Sequence, residues 1–173
     1  VSAMGRLGEP YATDTLIEVA SEINKDIDNR EKDLLMSCGE IISTIVLVQT
    51  LKKAGIEAIA LTGAQAGIYT DDSFGEAEII RVVPDKVNKT LKEGKIPVIA
   101  GFQGITEDGE ITTLGRGGSD TTASIIAAAI GALYIEIYTD VAGVMTADPA
   151  LVESARILDV VTYNEVCELA YQG

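Results

Sequence analysis

Stretches with apolar residues at helical spacing alternate with short apolar runs closed by glycine or proline, almost from one end of the chain to the other. That alternation constrains the fold more than any other feature, because it is the signature of an open, mostly parallel α/β sheet sandwiched by helices. Leu16, Ala20, Ile23 and Ile27 mark a first helix, with Thr13 or Asp14 as its cap. Leu34, Leu35, Cys38, Ile41, Ile42, Ile45 and Val46 give a second helix its apolar face. Asn29 stands where it can cap that helix, Gly39 where it can break it and Gly55 where it can end it. Strands are expected at 56–62, 78–83, 96–102, 133–139 and 157–161, with 107–110 turning 111–114 back as a hairpin partner. Helices are expected at 85–93 and 121–130, and Thr162 with Glu165 forms a capping box before a last helix. Residues 63–75 lack periodicity, carry Gly63, Gly67 and Gly75, and read as a loop.

Composition narrows the partners. A chain of 173 residues, 47% hydrophobic and 23% charged with four prolines, suits one compact domain and argues against disorder. No run approaches the roughly 18 consecutive apolar residues of a membrane span. Thirteen Lys and Arg against 27 Asp and Glu leave a net charge of −14, which repels nucleic acid and anionic membranes. An anionic ligand therefore needs positive potential built locally. Cys38 and Cys167 sit in apolar helical patterns, as buried thiols do in a reducing, cytoplasmic compartment. The start carries no basic or signal-like segment. The chain opens in mid-pattern at Val1 and closes on a helical pattern, as expected of a piece of a longer protein.

The chemistry concentrates at Thr113-Leu114-Gly115-Arg116-Gly117-Gly118-Ser119-Asp120, between a strand signal and a helix signal. Glycines let the backbone approach a ligand, and the following helix N-terminus offers unpaired N–H groups and a positive dipole end. Arg116 adds a planar fork suited to a carboxylate, and Ser119 a hydroxyl on the same turn. The plain alternative is a tight turn with Ser119 or Asp120 as helix cap and Arg116 in solvent. Thr139 and Asp140 follow a strand end, where open α/β sheets place their crevice, or else cap the next segment. Thr146-Ala147-Asp148-Pro149 is a second polar turn. Glu40, beside Gly39 in an apolar pattern, is either solvated or placed to hold an ammonium group. Gly101-Phe102-Gln103-Gly104 can lend backbone atoms to a ligand.

Taken in order, SAMG at 2–5, PYATDT at 10–15, LLMSCGE at 34–40, GFQG at 101–104, TTLGRGGSD at 112–120 and YTDVAGVMTADP at 138–149 resemble bacterial aspartate kinases. The resemblance covers the whole chain and implies an amino-acid-kinase fold, ATP with Mg²⁺, and phosphoryl transfer to the side-chain carboxylate of L-aspartate. It implies that Arg116, with Gly117, Gly118 and Ser119, holds a substrate carboxylate, that Glu40 pairs with the amino group, and that Phe102 assists by its main chain. Thr13 would close over the substrate. Tyr138, Thr139, Asp140, Val144, Met145, Thr146, Asp148 and Pro149 match the stretch that lines the nucleotide. Asp120 would order catalytic lysines, and Ser2 would sit near the transferred phosphoryl. The protein itself would supply no metal ligand. The resemblance further implies a homo-oligomer, a KFGG lysine segment before residue 1 and regulatory ACT domains after residue 173, so that residues 1–173 are part of a catalytic domain and weak kinases alone. Met145 and Ala150 stand where relatives carry an aromatic residue and an arginine. They point to the other reading, a non-catalytic nucleotide- or amino-acid-binding subunit of the same fold.

Overall fold

The computed structural model describes residues 1–5, 8–10, 12–115, 117–138, 143–147, 152–162 and 164–165. The chain forms two compact units, Val1–Ile135 and Glu136–Gly173. In the first unit, helix α1 (Thr13–Ile23) starts after Ala12 without a side-chain cap, so neither Thr13 nor Asp14 caps it. Helix α2 (Asn29–Lys53) is capped by Asp28, whose side chain accepts from Glu31 N, and Asn29 is its first residue. Gly39 is buried inside the helix and does not break it.

The buried stripe of α2 differs from the apolar face anticipated above. Asp33, Ser37, Glu40, Thr44 and Val48 recur every three or four residues and face inward. Leu34, Ile45 and Val46 are each nearly half exposed, and Cys38 is exposed rather than buried. Apart from Glu40, the polar side chains tolerate burial because they find partners. Ser37 Oγ donates to Leu34 O at 2.7 Å, Thr44 Oγ1 to Glu40 O at 2.7 Å, and Asp33 accepts three hydrogen bonds from other elements. By length and hydropathy α2 would pass for a membrane-crossing helix. Its inward stripe of bonded polar groups marks it instead as a helix packed on the sheet.

The α/β class and the open sheets follow the expectation. Strand β1 (Ala58–Leu61) pairs in parallel with β4 (Ile96–Ile99), Leu61 lying opposite Ile99. A second sheet has the order β3-β2-β5-β6. Here β2 (Ile68–Thr70) runs antiparallel to β3 (Ile79–Val82) and parallel to β5 (Gln103–Ile105), and β5 folds back onto β6 (Ile111–Thr113). The turn at 107–110 is where the sequence places it, but β6 pairs with β5 because the run from Ile96 ends at Ile99. Strand β2 lies inside the stretch read as a loop, three residues being too few for alternation to show. The run at 133–139 forms no strand among its described residues, and Leu133 is 96% exposed. Apolar periodicity cannot supply the neighbour that a ladder requires.

Helix α3 (Asp85–Lys92) and helix α4 (Gly118–Ile130) complete the first unit. Leu61, Ala66, Ile68, Val87 and Ile126 form one core cluster, and Val48, Ala58 and Val98 a second beneath α2. Between β2 and β6, the buried hydroxyls of Thr70 and Thr112 bond at 2.6 Å. Thr112→Val alone strands the Thr70 hydroxyl and is expected to cost about 1–3 kcal/mol, whereas adding Thr70→Val recovers most of it. Urea melts of the single and double variants check this; equal losses in both would contradict it.

In the second unit, Met145 and Ile157 form an isolated antiparallel bridge in place of the strand expected at 157–161. Thr162 and Glu165 form the anticipated capping box, with Thr162 N donating to Glu165 Oε2 at 2.7 Å and Glu165 N to Thr162 Oγ1 at 3.3 Å.

Candidate active site

A cleft of about 330 Å³ opens in the first unit. Ser2 and Thr13 come from its N-terminal part, Glu40 from the middle of α2, Phe102 from the β4–β5 connection, and Gly117, Gly118, Ser119 and Asp120 from the start of α4. Residues scattered over 119 positions of sequence are thus brought to one wall-to-wall site. Met36 and Gly115 also line it. Gly115 belongs to the glycine cluster singled out in the sequence, whereas Met36 was given no role there, although it lies one helical turn before Glu40, a spacing that places the two on one face.

Glu40 is 5% exposed. Its Oε1 accepts from Ala3 N at 3.3 Å, and its buried Oε2 has no hydrogen-bond partner. Such an orphaned carboxylate oxygen is costly and calls for a donor. Burial pushes the Glu40 carboxyl above its ordinary value, with backbone hydrogen bonds pulling it partly back. The folded protein therefore holds this proton more tightly than the unfolded chain does. The stability Glu40 contributes is fully present below the ordinary carboxylate value and is lost as pH rises through the raised one. Relative to Glu40→Gln, the wild type should lose thermal stability as pH rises across that window, and paired melts between pH 4 and 8 check it. A difference that is flat with pH would contradict the buried, partnerless carboxyl. A cationic ligand requires the ionised form, so its affinity should fall as pH drops through the same window.

Opposite Glu40, α4 starts at a glycine turn. Gly117, at φ 73°, occupies the N-cap, so neither Ser119 nor Asp120 caps the helix. A Cβ on Gly118 would fall 2.7 Å from Phe102 Cδ2 and 3.0 Å from Leu114 Cβ. The helix start packs that closely against Phe102, which itself holds φ 65°, a region a bulky side chain rarely occupies. Phe102 N donates to Thr122 Oγ1 at 3.0 Å and its carbonyl accepts from Leu114 N at 2.9 Å. A ligand can therefore reach only the ring and the remaining carbonyl lone pair of Phe102.

Arg116 lies outside the described residues, as do Thr139, Asp140, Asp148, Pro149, Ala150 and Cys167. Tyr138, Val144, Met145 and Thr146 belong to the second unit. There Tyr138 is exposed, its hydroxyl 2.8 Å from Glu136 Oε2. Leu158 N donates to Val144 O at 2.8 Å, and Thr146 exchanges bonds with Arg156, N to O at 2.9 Å and Oγ1 from N at 3.0 Å. No group of three or more His, Cys, Asp or Glu gathers as a metal site among the described residues.

One wall of the cleft thus carries a buried carboxyl group whose Oε2 lacks a donor, and another a helix N-terminus with glycines and a serine hydroxyl. The pairing is complementary to a small zwitterion, its ammonium toward Glu40 and a carboxylate toward the positive end of α4.

The sequence model of the Amino acid kinase family matches residues 1–173. Aspartokinase 1 of Bacillus subtilis (strain 168) is 54% identical over all 173 residues, which span 43% of its length. The aspartokinase of Thermus thermophilus is 48% identical over the same residues, 42% of its length. The chain therefore spans about two fifths of these curated relatives. Among solved structures, E. coli aspartokinase III in complex with aspartate and ADP (R-state) superposes with a TM-score of 0.81 at 31% identity, covering 91% of this chain and 36% of that one. Aspartate kinase from Synechocystis gives a TM-score of 0.77 at 43% identity, covering 100% of this chain and 28% of the other. With the family's sequence pattern running from the first residue to the last, and its fold shared by solved members, this chain belongs to the amino acid kinase family.

Proposed function

We propose that these residues carry the amino-acid site and part of the nucleotide site of an aspartate kinase, active in the cytoplasm as a homo-oligomer. The observation that carries this reading is Glu40 Oε2, buried and partnerless in the cleft that faces the start of α4. E. coli aspartokinase III binds aspartate and ADP, which supports L-aspartate as the substrate here and, because ADP is what phosphoryl transfer leaves, ATP as the donor.

In the reaction, a side-chain carboxylate oxygen of aspartate forms a bond to the γ-phosphorus of ATP. The bond from that phosphorus to the β,γ-bridging oxygen breaks, and ADP leaves beside 4-phospho-L-aspartate. The acceptor is ionised at neutral pH, so no general base is needed, and a chain without histidine is no obstacle. The protein's task is to align two anions and offset their charge. Glu40 holds the ammonium group, while Arg116, Ser119 and the amides of Gly117 and Gly118 hold a carboxylate. Thr13 closes over the substrate and Ser2 stands near the transferred group. Asp120, exposed in the first turn of α4, orders lysines from elsewhere, since no lysine lines the cleft among the described residues. Tyr138, Thr139, Asp140, Val144, Met145, Thr146, Asp148 and Pro149 hold the nucleotide. Mg²⁺ belongs to the phosphates of ATP, where it lowers their charge.

The test is ATP-dependent acyl-phosphate formation by the protein expressed from its complete gene, trapped with hydroxylamine. Hydroxamate is expected with L-aspartate and not with L-glutamate. Folded, nucleotide-binding protein that yields none would favour the non-catalytic subunit.

A further inference from the structure

Asp33 lies outside the cleft, is fully buried, and has no part in the chemistry described so far. Its carboxylate is nonetheless the most heavily bonded side chain of α2. Oδ2 accepts from Thr113 N at 2.8 Å and from Gly75 N at 2.9 Å, and Oδ1 accepts from Thr113 Oγ1 at 2.8 Å. Thr113 is the last residue of β6, two positions before Gly115 at the cleft edge. Asp33 is two helical turns before Glu40 on the same inward stripe. One carboxylate therefore fastens the element that carries Glu40 to the strand that delivers the glycine turn. Between the two, Ser37 O on the same stripe accepts from buried Gln103 Nε2 at 3.1 Å, and Gln103 Oε1 accepts from Gly63 N at 3.4 Å. This second tie anchors α2 to β5 and leaves the end of β6 to Asp33.

We propose that Asp33 is a positioning residue, whose clamp on Thr113 sets the spacing between Glu40 and the glycine turn at the start of α4. The proposal rests on the reading of the cleft as an amino-acid site. Charge-assisted bonds to backbone N–H groups are short and directional, and a misplacement of about 1 Å can cost on the order of 10²-fold in turnover. The clamp acts on one wall against the other, so its loss should be felt by the small ligand that touches both, and little by ATP.

Asparagine can replace the clamp in kind. Its oxygen can accept both N–H groups, and its amide can donate to a rotated Thr113 hydroxyl. Alanine cannot. In the protein expressed from its complete gene, Asp33→Ala is expected to raise the KM for L-aspartate about 10-fold or more. The KM for ATP should stay within about 2-fold, and Asp33→Asn should restore the aspartate value to within about 3-fold of wild type. Amide hydrogen exchange supplies a second readout independent of activity: Asp33→Ala should speed exchange at 113–118 and at Gly75, and Asp33→Asn should not. Unchanged KM for aspartate in folded Asp33→Ala, with only the melting temperature lowered, would overturn the proposal, as would unchanged exchange at 113–118. If Asp33→Ala fails to fold, Thr113→Val removes the hydroxyl arm alone and should raise the aspartate KM about 3-fold, and no rise would overturn the proposal. A wild type that traps no hydroxamate would sink the kinase reading, while the exchange data would still decide whether the clamp exists.

Discussion

Replacing Glu40 by glutamine is expected to raise the KM for L-aspartate by about 10- to 100-fold while leaving the KM for ATP within about 2-fold. The magnitude follows from the bond lost, because a hydrogen bond to a charged group contributes about 1.5–3 kcal/mol, and each 1.4 kcal/mol is about tenfold in affinity. The selectivity follows from the proposed roles, Glu40 lining the cleft as the partner of the amino group while a different set of residues is proposed for the nucleotide. Once pH exceeds the raised Glu40 value, the same substitution should raise the melting temperature of the ligand-free protein. An ionised, buried oxygen without a partner is destabilising until the ammonium group arrives, and glutamine removes its charge. For a domain of this size each kcal/mol corresponds to about 2–4 °C. Steady-state kinetics with each substrate varied, alongside calorimetric melts, test both halves. Equal rises in the two KM values, or a less stable variant above the raised Glu40 value, would count against Glu40 as the ammonium site.

The second large effect is expected of Gly118→Ala. An added Cβ would meet Phe102 Cδ2 at 2.7 Å, closer than such atoms approach, and Leu114 Cβ at 3.0 Å. Phe102 cannot simply retreat, because its N–H and carbonyl are bonded to Thr122 and Leu114 and its backbone is held at φ 65°. The helix start must then move away from Phe102. Alanine gains up to about 1 kcal/mol over glycine in a helix, while overpacking costs about 1–3 kcal/mol, so the net loss of stability is small. The loss of function is not, since the turn proposed to hold a substrate carboxylate shifts, and kcat/KM for aspartate should fall about 10²-fold. A variant that keeps its activity within about 2-fold would show that the close contact at Gly118 has no bearing on the site.

Much of the site was legible because its residues obey local rules. A glycine turn before a small-residue helix marks an anion-facing helix start whatever the rest of the chain does, and Glu40 drew notice as a carboxylate in an apolar pattern. Ser2, Thr13 and the roles of Phe102 and Asp120 came only from the family resemblance, and these four line one cleft with Glu40, Gly117, Gly118 and Ser119. What could not be read depends on partners distant in sequence. The inward face of α2 looked apolar because hydrophobicity alone ranks Leu34 and Ile45 above Asp33 and Thr44. Only the folded chain shows that Asp33 meets Thr113, 80 positions away. Strands β2 and β5 are three residues each, below the length at which alternation declares itself, and they exist because neighbours lend them a ladder. The run at 133–138 is the converse, a convincing strand pattern that pairs with none of β1–β6.

Glu40 is proposed to read the amino group of an acceptor whose side-chain carboxylate is phosphorylated. The most direct measurement compares L-aspartate with succinate, which keeps both carboxylates and lacks the amino group, in hydroxylamine trapping by wild type and by Glu40→Gln. Trapping with L-aspartate is expected to be at least about 10²-fold more efficient than with succinate in the wild type, with the preference reduced to within about 10-fold in Glu40→Gln. Succinate accepted as readily as aspartate by the wild type, or a preference that survives Glu40→Gln intact, would contradict it.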